Sequence, residues 1–383
     1  MKKALHVLGV CSAFQGCGPL EGLAGHPTEN DAGRLVIVGG ALDVENAAVY
    51  AAVLDGRLGD GPLCVIPTAS SDPAEAIESM VANLDGYGGA GTAMGVFLPR
   101  DEPDRAPAAA DELRGCSGFY FTGGSQSRIL DVFLPAGDTT AAFRALRKRW
   151  LEGAVVAGSS AGAAMMSRIM ISGGSSDEAV SHGVARSEDG DGVELRPGMG
   201  FFEPILDQHF LARGRIGRLI VAVIDPGSPR VGLGIDENTA LVVDGSSAEV
   251  LGASGVVMVD GRAAVATGPG RATDVQVSLA GSGDLIDLTS FAVQRDSTKR
   301  ELPIETRSVV PGNDPFERWA LLRLISGLAA ASAAEATYEL AGATLTLRKA
   351  DGFSASASYL AGGIEGPPSG LSAGPFRVDL MNR

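Results

Sequence analysis

The sequence has little of what marks disordered, fibrous or membrane-spanning chains. Long blocks of one charge sign are missing and 45% of the 383 residues are hydrophobic, so we expect a folded core. The 53 glycines show no Gly-X-Y period, which excludes a collagen-like fibre and favours turns and strand–helix junctions. Beyond the N-terminus, no apolar run approaches the roughly twenty residues of a membrane span.

Cysteine is also scarce, and no pair of cysteines has the Cys-x-x-Cys spacing of a zinc or redox site. Cys64 lies in an apolar run and Cys116 has a similar setting, so each is expected to be a small buried hydrophobic residue rather than part of a disulfide framework. No cluster of three metal ligands is apparent in the sequence. We therefore expect neither a metal nor a cofactor.

Basic residues are outnumbered, and only five of them are lysines. The formal net charge is −15, from 46 acidic and 31 basic residues. Such a surface repels phosphate backbones, so we expect no nucleic-acid partner.

The N-terminus resembles an export signal. Two lysines, at positions 2 and 3, precede the apolar run ALHVLGVCSAF. Phe14-Gln15-Gly16-Cys17 is an imperfect lipobox, and a polar segment follows it. We therefore interpret 1–17 as a leader and 18–34 as a tether. The protein is expected to be extracellular, periplasmic or lipid-anchored through Cys17. The alternative is a cytoplasmic protein with a disordered start.

From residue 35 the chain alternates between strand-like and helix-like segments. Strands are predicted at 35–38, 62–66, 94–98, 119–121 and 154–157, with helices at 44–54, 74–84, 126–133 and 140–151. This alternation predicts an α/β fold in which a parallel sheet forms the middle of three layers. Functional groups in such folds gather at the carboxyl ends of the strands.

The composition changes after about residue 262. Short strands are predicted at 230–236, 240–244 and 256–260, and the region that follows is rich in Gly, Ala, Thr and Asp. A helix at 315–328 and a terminal β-ribbon at 337–347 and 353–360 complete the pattern. We divide the chain into a catalytic domain, 35–264, and a β-rich C-terminal extension, 265–383.

The clearest chemical signal is Gly158-Ser159-Ser160-Ala161-Gly162. A serine between two glycines, after a β-branched run and before a helix-forming run, is typical of a nucleophile elbow. The backbone N–H after the serine would point towards a developing oxyanion. Ser160 is therefore the candidate nucleophile.

A serine nucleophile needs a base, usually histidine, and this chain has four. Two lie in the leader and tether, and His182 lies in a polar stretch that is typical of a solvated loop. His209 follows an apolar segment and is the better candidate. The residues alone leave the orienting acid open between Glu178 and the Asp236-Glu237 pair.

Three arginines follow this histidine closely: Arg213, Arg215 and Arg218. They could be spread around an ordinary helix surface. Because guanidinium groups bind carboxylates through paired hydrogen bonds, they could equally form a carboxylate-binding rim.

Four stretches carry a family resemblance. They are FTGGSQSRIL (121–130), VVAGSSAGAAMMS (155–167), LDQHFLARGRIGRL (206–219) and GLGIDENTALVV (232–243). In this order they resemble the cyanophycinases of a serine peptidase family that also contains the aspartyl dipeptidases. The core of that family is similar to the class I glutamine amidotransferases. The resemblance covers about 35–260.

The resemblance implies a role for each matching residue. It implies Ser160 as nucleophile, His209 as base and Glu178 as acid, with oxyanion N–H groups from Gly124 and Ala161. It further implies that a larger set lines the substrate pocket: Gln126, Asp207, Gln208, Arg213, Arg215 and Arg218.

The implied reaction is hydrolysis of cyanophycin, a polyaspartate that carries arginine on its β-carboxyls, to β-Asp-Arg dipeptides through an acyl-enzyme. Another aspartyl-rich peptide is a related substrate class, and a homodimer is one expected assembly. An aspartyl or isoaspartyl dipeptidase and a non-catalytic surface lipoprotein that binds acidic peptides remain alternatives. A glutamine amidotransferase would need cysteine at position 160.

Overall fold

A computed structural model of the chain describes residues 32–98, 106–186, 190–306, 309, 314–340, 343–358 and 370–382. The leader 1–17, most of the tether 18–34 and Cys17 therefore lie outside the described residues. The first strand shows why the core forms: Leu35–Val38 reads Leu-Val-Ile-Val, and all four residues are buried. Such continuous apolar runs suit a parallel strand that is covered on both faces.

Nine α-helices lie in the described part of the chain, together with a short 3₁₀ turn at Pro135–Gly137. They are α1 (Ala47–Asp55), α2 (Pro73–Gly88), α3 (Ala106–Arg114), α4 (Gln126–Phe133), α5 (Ala141–Leu151), α6 (Ala161–Ala164), α7 (Ser176–His182), α8 (Ile216–Ile224) and α9 (Ala320–Ala330).

The strands of the described residues run from β1 to β20. They are β1 (Leu35–Val38), β2 (Leu63–Ile66), β3 (Ala93–Gly95), β4 (Gly118–Phe121), β5 (Val155–Ser159), β6 (Ile169–Gly173), β7 (Glu194–Pro197), β8 (Ile205–Gln208), β9 (Val231–Ile235), β10 (Thr239–Asp244), β11 (Ser247–Gly252), β12 (Gly255–Asp260), β13 (Val265–Gly268), β14 (Arg271–Gly281), β15 (Leu285–Asp287), β16 (Val293–Gln294), β17 (Arg300–Glu301), β18 (Glu335–Leu340), β19 (Ala343–Ala357) and β20 (Ser372–Asn382).

The first sheet has the order β16-β15-β11-β10-β1-β5-β4-β2-β3. Its β1, β5, β4, β2 and β3 are parallel, and β10 joins β1 in the antiparallel direction. Side chains on one face, such as Ile37, pack with α3, α4 and α5. Those on the other face, such as Val36, pack with α1 and α2. The predicted three-layer α/β core is confirmed.

The second sheet has the order β17-β19-β20-β14-β12-β9-β8. Only β8 and β9 run parallel among the neighbours on this path. The extension is β-rich, as expected, and β14 pairs with β12 from Gly255↔Gly281 to Asp260↔Gln276. Backbone pairing therefore crosses the boundary that was expected at residue 264.

The two cysteines of the first sheet correct one expectation. Cys64 lies on β2 and Cys116 just before the neighbouring β4, and the two residues form a disulfide with an α-carbon separation of 5.7 Å. Both are fully buried. The prediction of two separate thiols was wrong because spacing along the chain does not reveal which strands become neighbours.

None of the helices in the described ranges is long and apolar enough to cross a bilayer.

Candidate active site

The nucleophile elbow lies between β5 and α6. Ser160 has φ 56° and ψ −110°, a left-handed conformation that non-glycine residues rarely adopt. A Cβ added at Gly158 would lie 2.4 Å from the carbonyl oxygen of Gly162, and one at Gly162 would lie 2.3 Å from the Phe121 oxygen. Both glycines are therefore needed for close backbone packing, which holds the strained serine at the end of the sheet.

The base lies at the end of the neighbouring sheet. His209 directly follows β8, and its Nε2 lies 2.9 Å from Ser160 Oγ. Its backbone N–H donates to the Gly39 oxygen at 2.6 Å, just past the end of β1. The side chain is only 8% exposed. The two sheets thus bring the serine and the histidine predicted from sequence within hydrogen-bonding distance.

Glu237 completes this line of side chains. Its Oε1 lies 2.7 Å from His209 Nδ1. An ionised carboxylate can only accept a hydrogen bond, so Nδ1 carries the proton and Nε2 is left to accept from Ser160. β8 and β9 are parallel neighbours with Gln208 beside Ile235, so residues just beyond their carboxyl ends meet. That register explains why Glu237 reaches the imidazole.

Glu178, the acid implied by the resemblance, is placed elsewhere. Its carboxylate accepts a hydrogen bond from the Ser175 N–H at 2.7 Å, and its own N–H donates to Ser175 Oγ at 3.1 Å. This reciprocal pair is a capping box that begins α7. The expectation for Glu178 is therefore corrected in favour of Glu237. The segment of His182, expected as a loop, is the end of that helix.

The imidazole of His209 is held in its neutral form. Burial lowers its pKa from the ordinary value of 6.5, the hydrogen bond that it donates to Glu237 opposes this, and the nearby Arg213 guanidinium lowers the pKa further. A neutral imidazole is the form that can take a proton from Ser160.

Two backbone groups could stabilise an oxyanion beside Ser160. Ala161 is the first residue of α6, where N–H groups have no partner within the helix. The Gly123-Gly124 turn lies on the other side, because a Cβ at Gly123 would be 3.5 Å from the Ser160 Cβ. Gly124 has φ +141° and no room for a Cβ, which would lie 2.0 Å from the Ala69 oxygen. Ala161 directly follows the nucleophile and Gly124 directly follows Gly123, which packs against it; the role of their N–H groups stays a prediction.

The arginines are not equivalent. Arg218 is buried and donates to both carboxylate oxygens of Asp207, with Nε 2.7 Å from Oδ2, and to the Gly174 oxygen. Arg215 donates to Asp207 at 3.3 Å and to the Gln208 oxygen at 2.6 Å. Burial lowers the pKa of Arg215 to about 10, so it stays charged at neutral pH.

These contacts correct the predicted carboxylate-binding rim. Asp207 is 1% exposed and engaged by two guanidinium groups, so neither it nor Arg218 is placed to receive substrate. Of the three arginines that follow the histidine, only Arg213 is exposed. Fewer arginines are therefore available to bind a substrate carboxylate than the sequence indicated.

The two glutamines implied by the resemblance have different surroundings. Gln126 donates from its amide to the oxygens of Ile171 at 2.9 Å and Ser172 at 3.3 Å, which ties α4 to β6. Gln208 Oε1 lies 3.4 Å from Ser160 Oγ, so it borders the nucleophile. Within the described residues, no group of three or more His, Cys, Asp or Glu side chains could hold a metal ion.

Comparison with known proteins places this geometry in a family. Residues 35–251 match peptidase family S51. The cyanophycinase of Trichormus variabilis is 32% identical over 231 residues, which are 59% of this chain and 73% of that protein. The cyanophycinase of Synechococcus elongatus is 31% identical over 246 residues, 62% of this chain and 71% of that protein.

Two solved structures are also similar. A peptidase from an acI-B1 Actinobacterium is 20% identical with a TM-score of 0.46, covering 60% of this chain and 91% of that one. A putative peptidase E from Listeria monocytogenes is 14% identical with a TM-score of 0.41, covering 58% and 98%.

Proposed function

We propose that this chain, which belongs to peptidase family S51, hydrolyses cyanophycin by a serine mechanism that releases β-Asp-Arg dipeptides. That the chain is a peptidase follows from the family match and from the cyanophycinases that it resembles. The polymer substrate and the serine mechanism are the proposal.

One observation carries the mechanism: Ser160 Oγ, both ring nitrogens of His209 and the Glu237 carboxylate form a continuous hydrogen-bonded line, with contacts of 2.9 and 2.7 Å. The nucleophile, its base and the group that orients the base are thus within reach of one another. The strained backbone of Ser160 supports this role, because such strain is common at functional sites.

The reaction follows from these contacts. Nε2 of His209 takes the Ser160 proton while Oγ attacks the scissile carbonyl carbon, and the carbonyl becomes an oxyanion beside the N–H groups of Gly124 and Ala161. Collapse breaks the C–N bond, and the imidazolium gives its proton to the leaving amine. Water, deprotonated by the same imidazole, then hydrolyses the ester. Glu237 stabilises the imidazolium that forms in each half-reaction.

A carboxylate-bearing substrate meets an unfavourable overall charge and one exposed arginine on the loop of His209. The chain carries a net charge of −15, which repels carboxylates at long range. Arg213 is the exposed guanidinium of the loop that carries His209, and it perturbs the imidazole electrostatically. At contact distance such a group can bind a substrate carboxylate despite the overall field, which is screened over about 8 Å at physiological salt.

A second candidate is an aspartyl or isoaspartyl dipeptidase with the same nucleophile. The observation that favours it is the internal pairing of Arg218 with Asp207, which removes part of the charge expected for polymer recognition.

We further propose that the protein is exported, with Cys17 as its lipid anchor. The buried Cys64–Cys116 disulfide supports export, because disulfides persist mainly in oxidising compartments. Fractionation of the native host, with thiol labelling before and after reduction, tests both points. A cytoplasmic protein with two free thiols would contradict export, and a soluble exported protein would contradict the anchor.

The substrate is tested by incubating the full chain with insoluble cyanophycin and identifying the soluble products by mass spectrometry. We expect β-Asp-Arg from the wild type and none from Ser160→Ala. Cleavage of small aspartyl dipeptides without release from the polymer would favour the dipeptidase.

A further inference from the structure

A cleft of about 880 Å³ lies behind the Glu237 carboxylate. One wall comes from the region matched by the family and its flank: Ala41, Asp236, Glu237, Asn238, Ala253 and Ser254. The other wall comes from the C-terminal extension: Trp319, Leu322, Arg323, Ser326 and Gly327. Since Glu237 also contacts His209, the cleft adjoins the candidate active site.

The acids of the first wall are already satisfied. Asp236 accepts from the Ala212 N–H and from Ser254 Oγ, both at 2.8 Å. One carboxylate oxygen of Glu237 accepts a hydrogen bond from His209, and the other lies 3.7 Å from the Arg318 guanidinium of the extension. The oxygens of these carboxylates are therefore engaged by groups of the protein itself, which leaves the arginines of the opposite wall as the groups available to a ligand.

The second wall is cationic and aromatic. The Arg318 guanidinium lies 4.3 Å from the centroid of the Trp319 ring, and that ring is 42% exposed. Arg323 is 54% exposed, and its guanidinium lies 4.0 Å from the Glu317 carboxylate. Exposed guanidinium groups beside an indole face would attract a carboxylate that is attached to an apolar or planar stem.

This wall has a fixed position relative to the base. The backbone N–H of Trp319 donates to the backbone oxygen of Leu211 at 2.8 Å, and Leu211 lies two residues after His209. Gly214 has φ +58°, and a Cβ there would lie 1.9 Å from the Phe316 oxygen. Arg323 also donates to the Arg318 oxygen at 2.9 Å, which holds the turn before α9. The extension is thus packed directly on the loop that carries the catalytic histidine.

We infer that this cleft is a second substrate subsite, in which Arg323 and Trp319 bind a carboxylate-bearing unit of the aspartyl-rich substrate away from the bond that is cleaved. The inference rests on the proposed function for its substrate class. It assigns to the extension a preference for long substrates, because Glu237, which lines the cleft, and Ser160 contact opposite ring nitrogens of His209, so that the cleft and the cleaved bond lie on different sides of the imidazole.

The test compares substrates of different length. We would measure kcat/KM for a β-Asp-Arg dimer and for longer oligomers, using the wild type, Arg323→Ala and Arg323→Lys. Arg168→Ala is the matched control. It removes a similarly exposed arginine that pairs with Glu203. This pair lines a different cleft, next to Leu35 at the start of β1. Ser326→Glu provides a second variant, which adds a repelling carboxylate to the cleft and leaves Arg323 in place.

We expect the long-to-short ratio of kcat/KM to fall about three- to ten-fold in Arg323→Ala, within the range of an exposed charge-assisted contact. Ser326→Glu should lower the ratio as well, Arg323→Lys should restore part of it, and Arg168→Ala should leave it at the wild-type value. An unchanged ratio in both Arg323→Ala and Ser326→Glu would overturn the inference.

A binding measurement separates this inference from the proposed function. Poly-L-aspartate is titrated into Ser160→Ala protein with and without Arg323→Ala. Binding that weakens several-fold in the double variant supports the subsite even if the wild type does not hydrolyse cyanophycin. Absence of binding, or equal affinity in both proteins, would overturn it.

Discussion

Glu237 Oε1 lies 2.7 Å from Nδ1 of His209, although 28 residues separate the two side chains along the sequence. The contact exists because β8 and β9 are parallel neighbours that end side by side. It determines the proton position on the imidazole, and with it the ability of the imidazole to activate Ser160.

Glu237→Gln should therefore remove most of the activity, by roughly 10³-fold or more in kcat, because an amide can stabilise the wrong tautomer and cannot stabilise the imidazolium. Glu178→Gln is the control, since this carboxylate only caps α7. We expect it to retain near wild-type kcat with slightly lower thermal stability. If Glu178→Gln were the more damaging change, Glu237 would not be the orienting acid.

Replacing Gly40 tests whether the His209 ring packs directly against the backbone at this position. A Cβ there would lie 2.4 Å from His209 Nε2, so Gly40→Ala should displace the ring and abolish most activity. Gly40 also has φ +107°, and the strain of a left-handed alanine must be separated from the clash. Gly59→Ala serves this purpose, because Gly59 has φ +76° and open space around it. Equal kcat in the two variants would contradict the placement of His209.

The pH dependence should reflect the buried imidazole. Since burial lowers the pKa of His209, protonation inactivates the enzyme only below the ordinary value of 6.5. The acid limb of kcat/KM should therefore lie below that pH. Arg213→Ala removes a positive charge that lowers this pKa, so the limb should move to higher pH. Arg213→Lys should keep the limb near its wild-type position, and a shift of the Arg213→Ala limb to lower pH would contradict the account.

Arg218 should act on stability. Its removal leaves the buried Asp207 carboxylate with only the longer contact to Arg215, so Arg218→Ala should lower the free energy of unfolding by about 3 kcal/mol or more. Arg213→Ala, on the same loop but exposed, should change it by less than about 0.5 kcal/mol. Urea denaturation measures both. Equal stabilities would mean that the Asp207–Arg218 pair is not a structural contact.

The local parts of this molecule could be predicted from sequence. The parallel core follows from short β-branched runs that alternate with helices, and the elbow follows from Gly158 and Gly162 around a serine. The capping box at Ser175 and Glu178 was also readable, as a serine followed three residues later by glutamate. That pattern assigns the Glu178 carboxylate to the start of a helix rather than to the imidazole.

The remaining features depend on which strands become neighbours. Glu237 meets His209, and Cys64 meets Cys116, only after the strand order of each sheet is known. The buried pairing of Arg218 with Asp207 depends on how α8 packs behind β8. Local patterns of hydrophobicity and turn residues contain little information about these contacts between distant segments.

Trapping the covalent intermediate tests the serine mechanism most directly. A defined β-Asp-Arg oligomer is mixed with the wild-type protein, quenched with acid before one turnover is complete, and the protein is mapped by mass spectrometry. We predict that the peptide containing Ser160 gains the mass of the acyl fragment, which is the part of the substrate that remains after the amine product has left. The corresponding peptide of Ser160→Ala should gain no mass. Hydrolysis of the oligomer by Ser160→Ala at the wild-type rate would contradict the account.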